Sequence, residues 1–264
     1  MTKLRDKVIW VTGASSGIGE ALTHALSKST GRLVISSRNE DDLQHVRKGI
    51  RGETDVMVLP LDLADGASLP GKADAVLGRF GRIDVLVNNG GISQRSRVVE
   101  TGMDVYRRLM EVNYFGTVAL TKAVLPGMIR QGGGHIAVTS SLTGKFGTPL
   151  RSGYAASKHA LHGFFETLRA ELWREKIKVT IACPGFVCTN VSVNALTGDG
   201  SRQCSMDEAQ AGGIPPEACA RRIMQAIEDD EEEVLIGGKE VLAAHLKRLS
   251  PALFSKIIRR AKVT

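Results

Sequence analysis

At 264 residues and 42% hydrophobic content, the chain is long enough for one globular domain with an ample core. Net charge is +7, but seven Lys/Arg against one Glu fall in residues 239–264, so the body is near neutral. Its few aromatics do not interleave with basic residues, which argues against nucleic-acid recognition. Four cysteines (Cys183, Cys188, Cys204, Cys219) form no C-x-x-C pair and show no ligand-like spacing with the six histidines. That pattern argues against a bound metal and against a disulfide framework. The polar start MTKLRDK leads straight into a strand, and no apolar run approaches the ~20 residues of a membrane span. The expectation is a soluble, cytoplasmic protein.

Val8–Val11 is a short apolar strand that runs into Thr12-Gly13-Ala14-Ser15-Ser16-Gly17-Ile18-Gly19, and a helix follows from about Glu20 to Lys28. The spacing is G-x-x-x-G-x-G. Glycines there permit a tight turn and let the backbone approach a pyrophosphate, while the helix N-terminus offers unpaired N–H groups and a positive dipole end. Gly13, Ser15, Ser16, Gly17, Ile18 and Gly19 are therefore candidate phosphate contacts. The second strand, Arg32–Ser36, ends at Ser37-Arg38, about 20 residues further on. An acidic residue there would meet a ribose 2′-hydroxyl, whereas an arginine accommodates a 2′-phosphate. Ser37 and Arg38 favour NADP(H) over NAD(H). Glu40, Asp41 and Asp42 are nearby and read as the solvated first turn of the next helix.

Val56–Leu59 is the third strand, followed by Asp62-Leu63, where Asp62 is either a contact to an adenine amino group or a turn residue. A helix near 65–80 precedes the fourth strand, Ile83–Val87, which ends in Asn88-Asn89-Gly90-Gly91. Asn and Gly adopt unusual backbone cheaply, so Asn89 and Gly90 can wrap against a cofactor. Asp104 to about Arg130 reads as one long helix with Asn113 inside it. Asparagine is a mediocre helix former, so Asn113 among Val112, Tyr114 and Phe115 holds a water, bends the helix, or is a satisfied core amide.

His135–Thr139 is the fifth strand, with Ser140-Ser141 at its carboxyl end, where open α/β sheets bind ligands. From Gly153 a helix carries Leu161, Phe164, Phe165, Leu168 and Leu172 at three- and four-residue steps. Tyr154 and Lys158 share one face of it, about a turn apart. A positive neighbour favours the ionised phenol, which would suit Tyr154 to proton transfer near neutral pH. Lys178–Cys183 is the sixth strand and ends in Pro184-Gly185-Phe186-Val187-Cys188-Thr189. Thr189 can hydrogen-bond a nicotinamide amide or a phosphate, and backbone near Val187, after Pro184 and Gly185, can fix the ring. In residues 190–214 periodicity dissolves, which predicts a mobile substrate-covering loop. A helix from Pro215-Pro216 to about Glu228, a solvated acidic turn Asp229–Glu233 and a last strand Val234–Gly237 complete the body. The tail, 239–264, places apolar residues at helical spacing beside basic ones and is broken by Pro251. Packing on the domain or on a partner subunit is favoured for it over contact with anionic membrane. Strands alternating with helices predict a Rossmann-type, doubly wound, parallel seven-stranded α/β sheet in one domain, residues 1–238.

TGASSGIG at 12–19, NNGG at 88–91, Asn113, Ser141, YAASK at 154–158 and PGFVCT at 184–189 resemble, in order and spacing, the short-chain dehydrogenase/reductase family. The resemblance spans Lys7 to Gly238 and departs at Gly90, where the family normally has alanine. It implies hydride transfer between a nicotinamide cofactor and an alcohol/carbonyl pair. Tyr154 would be the acid or base, Lys158 would bind the ribose hydroxyls, Ser141 would orient substrate, and Asn113 would hold a relay water. It also implies homodimers or homotetramers. The 140–172 region resembles the branch acting on steroid- and lipid-type carbonyls, pointing to an apolar substrate. The alternatives are a non-catalytic nucleotide-binding regulator, membrane-docked by its tail, and a nucleotide-sugar epimerase, which the glycine spacing and short substrate region disfavour.

Overall fold

A computed structural model describes residues 1–261. Seven strands, β1 (Val8–Thr12), β2 (Arg32–Ser36), β3 (Asp55–Val58), β4 (Val85–Asn88), β5 (Gly134–Thr139), β6 (Ile177–Pro184) and β7 (Glu233–Ile236), form one sheet in the order 3-2-1-4-5-6-7. Every neighbouring pair is parallel. The helices are α1 (Gly17–Leu26), α2 (Glu40–Gly49), α3 (Leu69–Phe80), α4 (Met103–Met110), α5 (Gly116–Arg130), α6 (Ser152–Glu171), α7 (Glu208–Ala211), α8 (Pro216–Glu228), α9 (Val241–Leu249) and α10 (Pro251–Ile258). Side chains alternate across a strand, and here both faces are covered. Val8 and Trp10 point into a core shared with α3, α5 and α6. Ile9 and Val11 point into the opposite core, with α1, α2 and α8. Each fully buried Leu, Ile or Phe contributes roughly 1.5–3 kcal/mol, so these two layers hold the sheet. Chain direction around the sheet reverses between β1 and β4, which opens a crevice at their carboxyl ends.

Several sequence expectations shift. The long helix over 104–130 is three pieces, because a π turn, Glu111–Phe115, separates α4 from α5. Asn113 sits in that turn and is buried. The helix expected from about 65 begins at Leu69, because Asp62 first closes a turn by accepting from Ala64 N–H (2.9 Å). The acidic stretch is not simply solvated. Lys178, Thr2 and the N-terminal amine all donate to Asp230, Arg222 grips Glu231 with two hydrogen bonds, Arg169 pairs with Glu232, and Lys145 pairs with Glu233. Basic residues far away in sequence converge on it, which local composition cannot show.

The tail packs on its own domain as far as residue 261; 262–264 lie outside the described residues. Pro251 starts α10 and ends the run of α9. Phe254 is buried with its ring 5.2 Å from that of Phe146, while Leu242, Leu249, Leu253 and Ile257 stay exposed. Among the described residues no helix is long and apolar enough to cross a membrane.

Candidate active site

A cavity of about 1280 Å³ runs along the carboxyl edge of the sheet, from the β1–α1 turn to the tail helices. Gly13 (φ 64°) and Gly17 (φ 56°) take the left-handed backbone the turn requires. Space is as tight as conformation: a Cβ on Gly13 would come within 2.8 Å of the Gly90 Cα, and one on Gly19 within 2.0 Å of the Gly13 carbonyl oxygen. Ser16, at the N-cap of α1, makes no side-chain cap, so the first N–H groups of the helix face the cavity without a side-chain acceptor. That is a cradle for an anion such as a pyrophosphate. Thr12 and Asn89 brace it. The Thr12 hydroxyl accepts from Asn89 N–H and Gly90 N–H (3.0 Å each), and the Asn89 amide donates to the Thr12 and Gly13 carbonyls.

Of the sequence-predicted site residues, all but Gly19 and Asn113 line this cavity. Gly19 lies behind it, packed on Gly13. Ser37 and Arg38 line the end beyond β2, and Arg38 has no acidic partner among the described residues. Glu40, Asp41 and Asp42 form the first turn of α2, where Asn39 caps Asp41 N–H. Asp62 acts as the turn residue, one oxygen closing its turn while the other lies 4.0 Å from Arg108 on the cavity wall. Leu63 and Gly90 are in contact range: a Cβ on Gly90 would meet a Leu63 methyl at 2.9 Å. Pro184, Gly185, Val187 and Thr189 line the floor beyond β6, and Thr189 packs over Gly17.

At the centre, Ser141, Tyr154 and Lys158 meet. The Lys158 ammonium donates to the Thr139 carbonyl (2.6 Å) and lies 5.7 Å from the Tyr154 ring centre. Burial pushes Lys158 down to about 8. Burial also raises Tyr154 above the usual phenol range, against a hydrogen bond with Ser141 and the charges of Arg151 and Arg95, which pull it down. The lowered tyrosine expected from its lysine neighbour is thus not what the chain produces alone, because desolvating a phenolate outweighs the charges around it. The Ser141 hydroxyl donates to the Pro184 carbonyl (3.3 Å) and accepts from Thr143 N–H (3.1 Å), which ties the end of β5 to that of β6.

Asn113 lies one layer back. Its amide donates to the Ile92 carbonyl and to Ser157 Oγ (2.9 Å each), and its oxygen accepts from Ile92 N–H (2.8 Å). Both amide hydrogens are used, so a water held by this side chain would have to donate to its oxygen.

Several residues of the site carry no sequence signal. Gln94, fully buried, accepts from Gly153 N–H (2.7 Å) and Tyr154 N–H (3.4 Å), capping α6 from 59 positions away. Arg95 and Arg151 both reach Asp207, at 2.6 and 3.4 Å. Glu240 accepts from Phe186 N–H and Gly238 N–H, pinning the floor loop to the tail. The segment 190–214 is anchored: Leu196 exchanges backbone hydrogen bonds with Ser93 and Arg95, and Asp207 is buried in the arginine pair. The far wall is apolar, with Phe146 from the body and Leu246, Phe254 and Ile258 from the tail. Behind Lys158, His162 brings Cys183 and Glu233 together, three possible metal ligands. The thiol faces Nε2 at 3.6 Å whereas the carboxylate faces Nδ1 at 3.5 Å, so they do not share one nitrogen. Lys145 already pairs with Glu233, and burial pushes the thiol up to about 12.

A family model described as short chain dehydrogenase matches residues 7–199. The chain is 45% identical over 264 residues to "Dehydrogenase/reductase SDR family protein 7-like" of Anopheles gambiae, covering 97% of this chain and 83% of that protein. It is 46% identical over 246 residues to "Dehydrogenase/reductase SDR family member 7" of Homo sapiens, covering 91% of this chain and 73% of that one. Among solved structures, a short chain dehydrogenase/reductase from Burkholderia phymatum in complex with NAD superposes with a TM-score of 0.83 at 24% identity, over 96% of both chains.

Proposed function

The chain belongs to the short-chain dehydrogenase/reductase family, and from that premise we propose that it is an NADP(H)-dependent oxidoreductase interconverting an alcohol and a ketone or aldehyde. The observation that carries the reading is the convergence of Ser141, Tyr154 and Lys158 on one cavity that continues to the glycine cradle. When bound, the nicotinamide supplies or accepts the hydride. The cradle at Gly13–Gly19 would hold the pyrophosphate, Asp62 and Leu63 would flank the adenine, and Asn89, Gly90, Val187 and Thr189 would bound the nicotinamide end.

The rest falls to the chain's own side chains. In reduction Tyr154 donates its phenolic proton to the carbonyl oxygen, and in oxidation its phenolate takes the proton back. Ser141 fixes the carbonyl by a second hydrogen bond. Lys158 binds ribose hydroxyls and, charged, favours the phenolate at the moment the proton leaves. A relay water accepted by Asn113 would resupply Lys158. Arg38 supports the choice of NADP(H) over NAD(H), being exposed, cationic and without an acidic partner among the described residues. The apolar wall of Phe146, Leu246, Phe254 and Ile258 supports an apolar substrate. Exposed Phe115 at the end of the π turn and Met103 at the start of α4 support assembly as a homodimer or homotetramer.

A panel of ketones and aldehydes, steroid-like ones included, monitored by NADPH absorbance tests the activity. Tyr154→Phe is expected to abolish turnover while NADPH still binds; retained turnover removes the acid–base assignment. Arg38→Asp is expected to shift preference toward NADH, and unchanged selectivity removes the 2′-phosphate assignment.

A further inference from the structure

Residues 93–96 touch both the 190–214 segment and the start of α6. Leu196 N–H donates to the Ser93 carbonyl, and Arg95 N–H donates to the Leu196 carbonyl (2.8 Å), so this segment carries the substrate-covering stretch as a short paired strip. On its other side Gln94 caps α6 at Gly153 and Tyr154, and Ser96 N–H donates to the Leu150 carbonyl (3.1 Å). Between them the Arg95 side chain is buried. It donates to Asp207 (2.7 Å), to Ser93 Oγ (2.8 Å) and to the Gln94 carbonyl (2.6 Å). Arg151, the residue preceding α6, reaches the same Asp207 oxygen. Both guanidiniums line the cavity with Tyr154.

We propose that Arg95 is a positioning residue for the proton transfer: held by Asp207, it carries the placement of the covering segment to the Tyr154 hydroxyl as a positive field. This rests on the acid–base reading of Tyr154 given above. Around Tyr154 in the cavity stand Ser141 from the end of β5, Arg151 from the start of α6, Arg95 from the segment after β4 and Lys158, 5.7 Å from the ring centre; Asp207 lies behind Arg95 and Arg151. The His162, Lys145, Cys183 and Glu233 group lies beyond Lys158. Two guanidiniums and one carboxylate in a buried place act on a neighbouring phenol with opposite signs. A cation favours phenolate and an anion opposes it. Asp207 remains ionised there: burial works against its charge, but Arg95 and Gln203 hold its carboxyl below the usual range. If the covering segment withdraws, Asp207 leaves the arginines and the field at Tyr154 changes.

The test is the pH profile of kcat/KM for carbonyl reduction by the full chain with NADPH, using a ketone that the unmodified protein turns over. In that direction Tyr154 is the acid, so rate falls as pH rises through its pKa. Arg95→Met removes a cation, and the basic limb is expected to move up by about one pH unit. Asp207→Asn keeps the shape and the acceptor for Gln203 while removing an anion, and the limb is expected to move down by about the same amount. Arg95→Lys restores the charge and is expected to return the limb to near its original position. A merely structural role lowers kcat in all three without opposed shifts. A limb that stays put, or moves the same way in Arg95→Met and Asp207→Asn, overturns the inference. Asp207→Asn keeps this decisive even if Arg95→Met does not fold. Absence of any NADPH-dependent turnover in the unmodified protein sinks the acid–base reading itself, and this inference with it; turnover with an immobile limb sinks only this one.

Discussion

Gln94→Leu isolates what the remote cap does for α6, the helix that carries Tyr154 and Lys158. Leucine keeps nearly the same volume, so the change is one of hydrogen bonding rather than packing. The substitution orphans Gly153 N–H, a buried donor 2.7 Å from the Gln94 oxygen, and frees Tyr154 N–H at 3.4 Å. The hydroxyls that Gln94 serves lose less. Ser96 and Thr101 keep each other at 2.7 Å, and Ser152 keeps Tyr106 at 2.9 Å. An orphaned buried donor costs about 1–3 kcal/mol, and each remaining neutral bond about 1 kcal/mol or less. The expected loss is therefore about 3 kcal/mol, and for a chain of this size roughly 6–12 °C in Tm. Urea unfolding measures it as a shift in midpoint at constant slope. Because Tyr154 is the first turn's own residue, kcat should fall about tenfold or more while cofactor affinity holds. A loss under about 0.5 kcal/mol, or a fall in cofactor affinity as large as that in kcat, refutes the capping argument.

Other perturbations separate backbone from side-chain contacts. Gly19→Ala drives a Cβ to 2.0 Å from a carbonyl oxygen, so α1 must move; cofactor affinity measured by titration should weaken about tenfold or more, with ~1–3 kcal/mol of stability lost. Gly90→Ala crowds a terminal methyl of Leu63 at 2.9 Å, with Gly13 N and Thr12 Oγ1 at an ordinary 3.4 Å, and should cost under about 1 kcal/mol in the same assays. Phe254→Ala removes a buried ring from the cavity wall; KM should rise for extended apolar ketones and barely change for small ones, and equal effects on both would count against a substrate wall there. His135 is driven down to about 4 by burial, so its charged form is disfavoured in the fold. The unfolded chain takes up that proton near pH 6.5, so stability present above 6.5 declines as pH falls toward 4, by ~3 kcal/mol in all. His135→Gln should flatten that part of the stability–pH curve, and an unchanged slope would assign it elsewhere.

The sheet and the candidate trio Ser141, Tyr154 and Lys158 were legible because their signals are short-range. The continuous apolar run Val8–Val11, the glycine spacing after it, and the four-residue step from Tyr154 to Lys158 each lie inside one strand, turn or helix face, where geometry follows spacing directly. Gln94, Arg95 and Glu240 were not legible. They act on Gly153, Asp207 and Phe186 across 59, 112 and 54 residues, and no local period marks such partners. The acidic turn failed for the same reason, since its cations arrive from other strands and helices. The π turn at Asn113 was readable only as a weak spot in a helix, and the partners of that side chain, Ile92 and Ser157, were set by the tertiary structure. What the sequence determined by itself is the fold, through periodicity, and the candidate reacting groups, through residue chemistry and the order of its motifs. What only the tertiary structure decided is the environment of those groups. Burial set the direction of Tyr154's proton affinity against its charged neighbours, and desolvation depends on everything that packs around a group, not on the residues beside it in the chain.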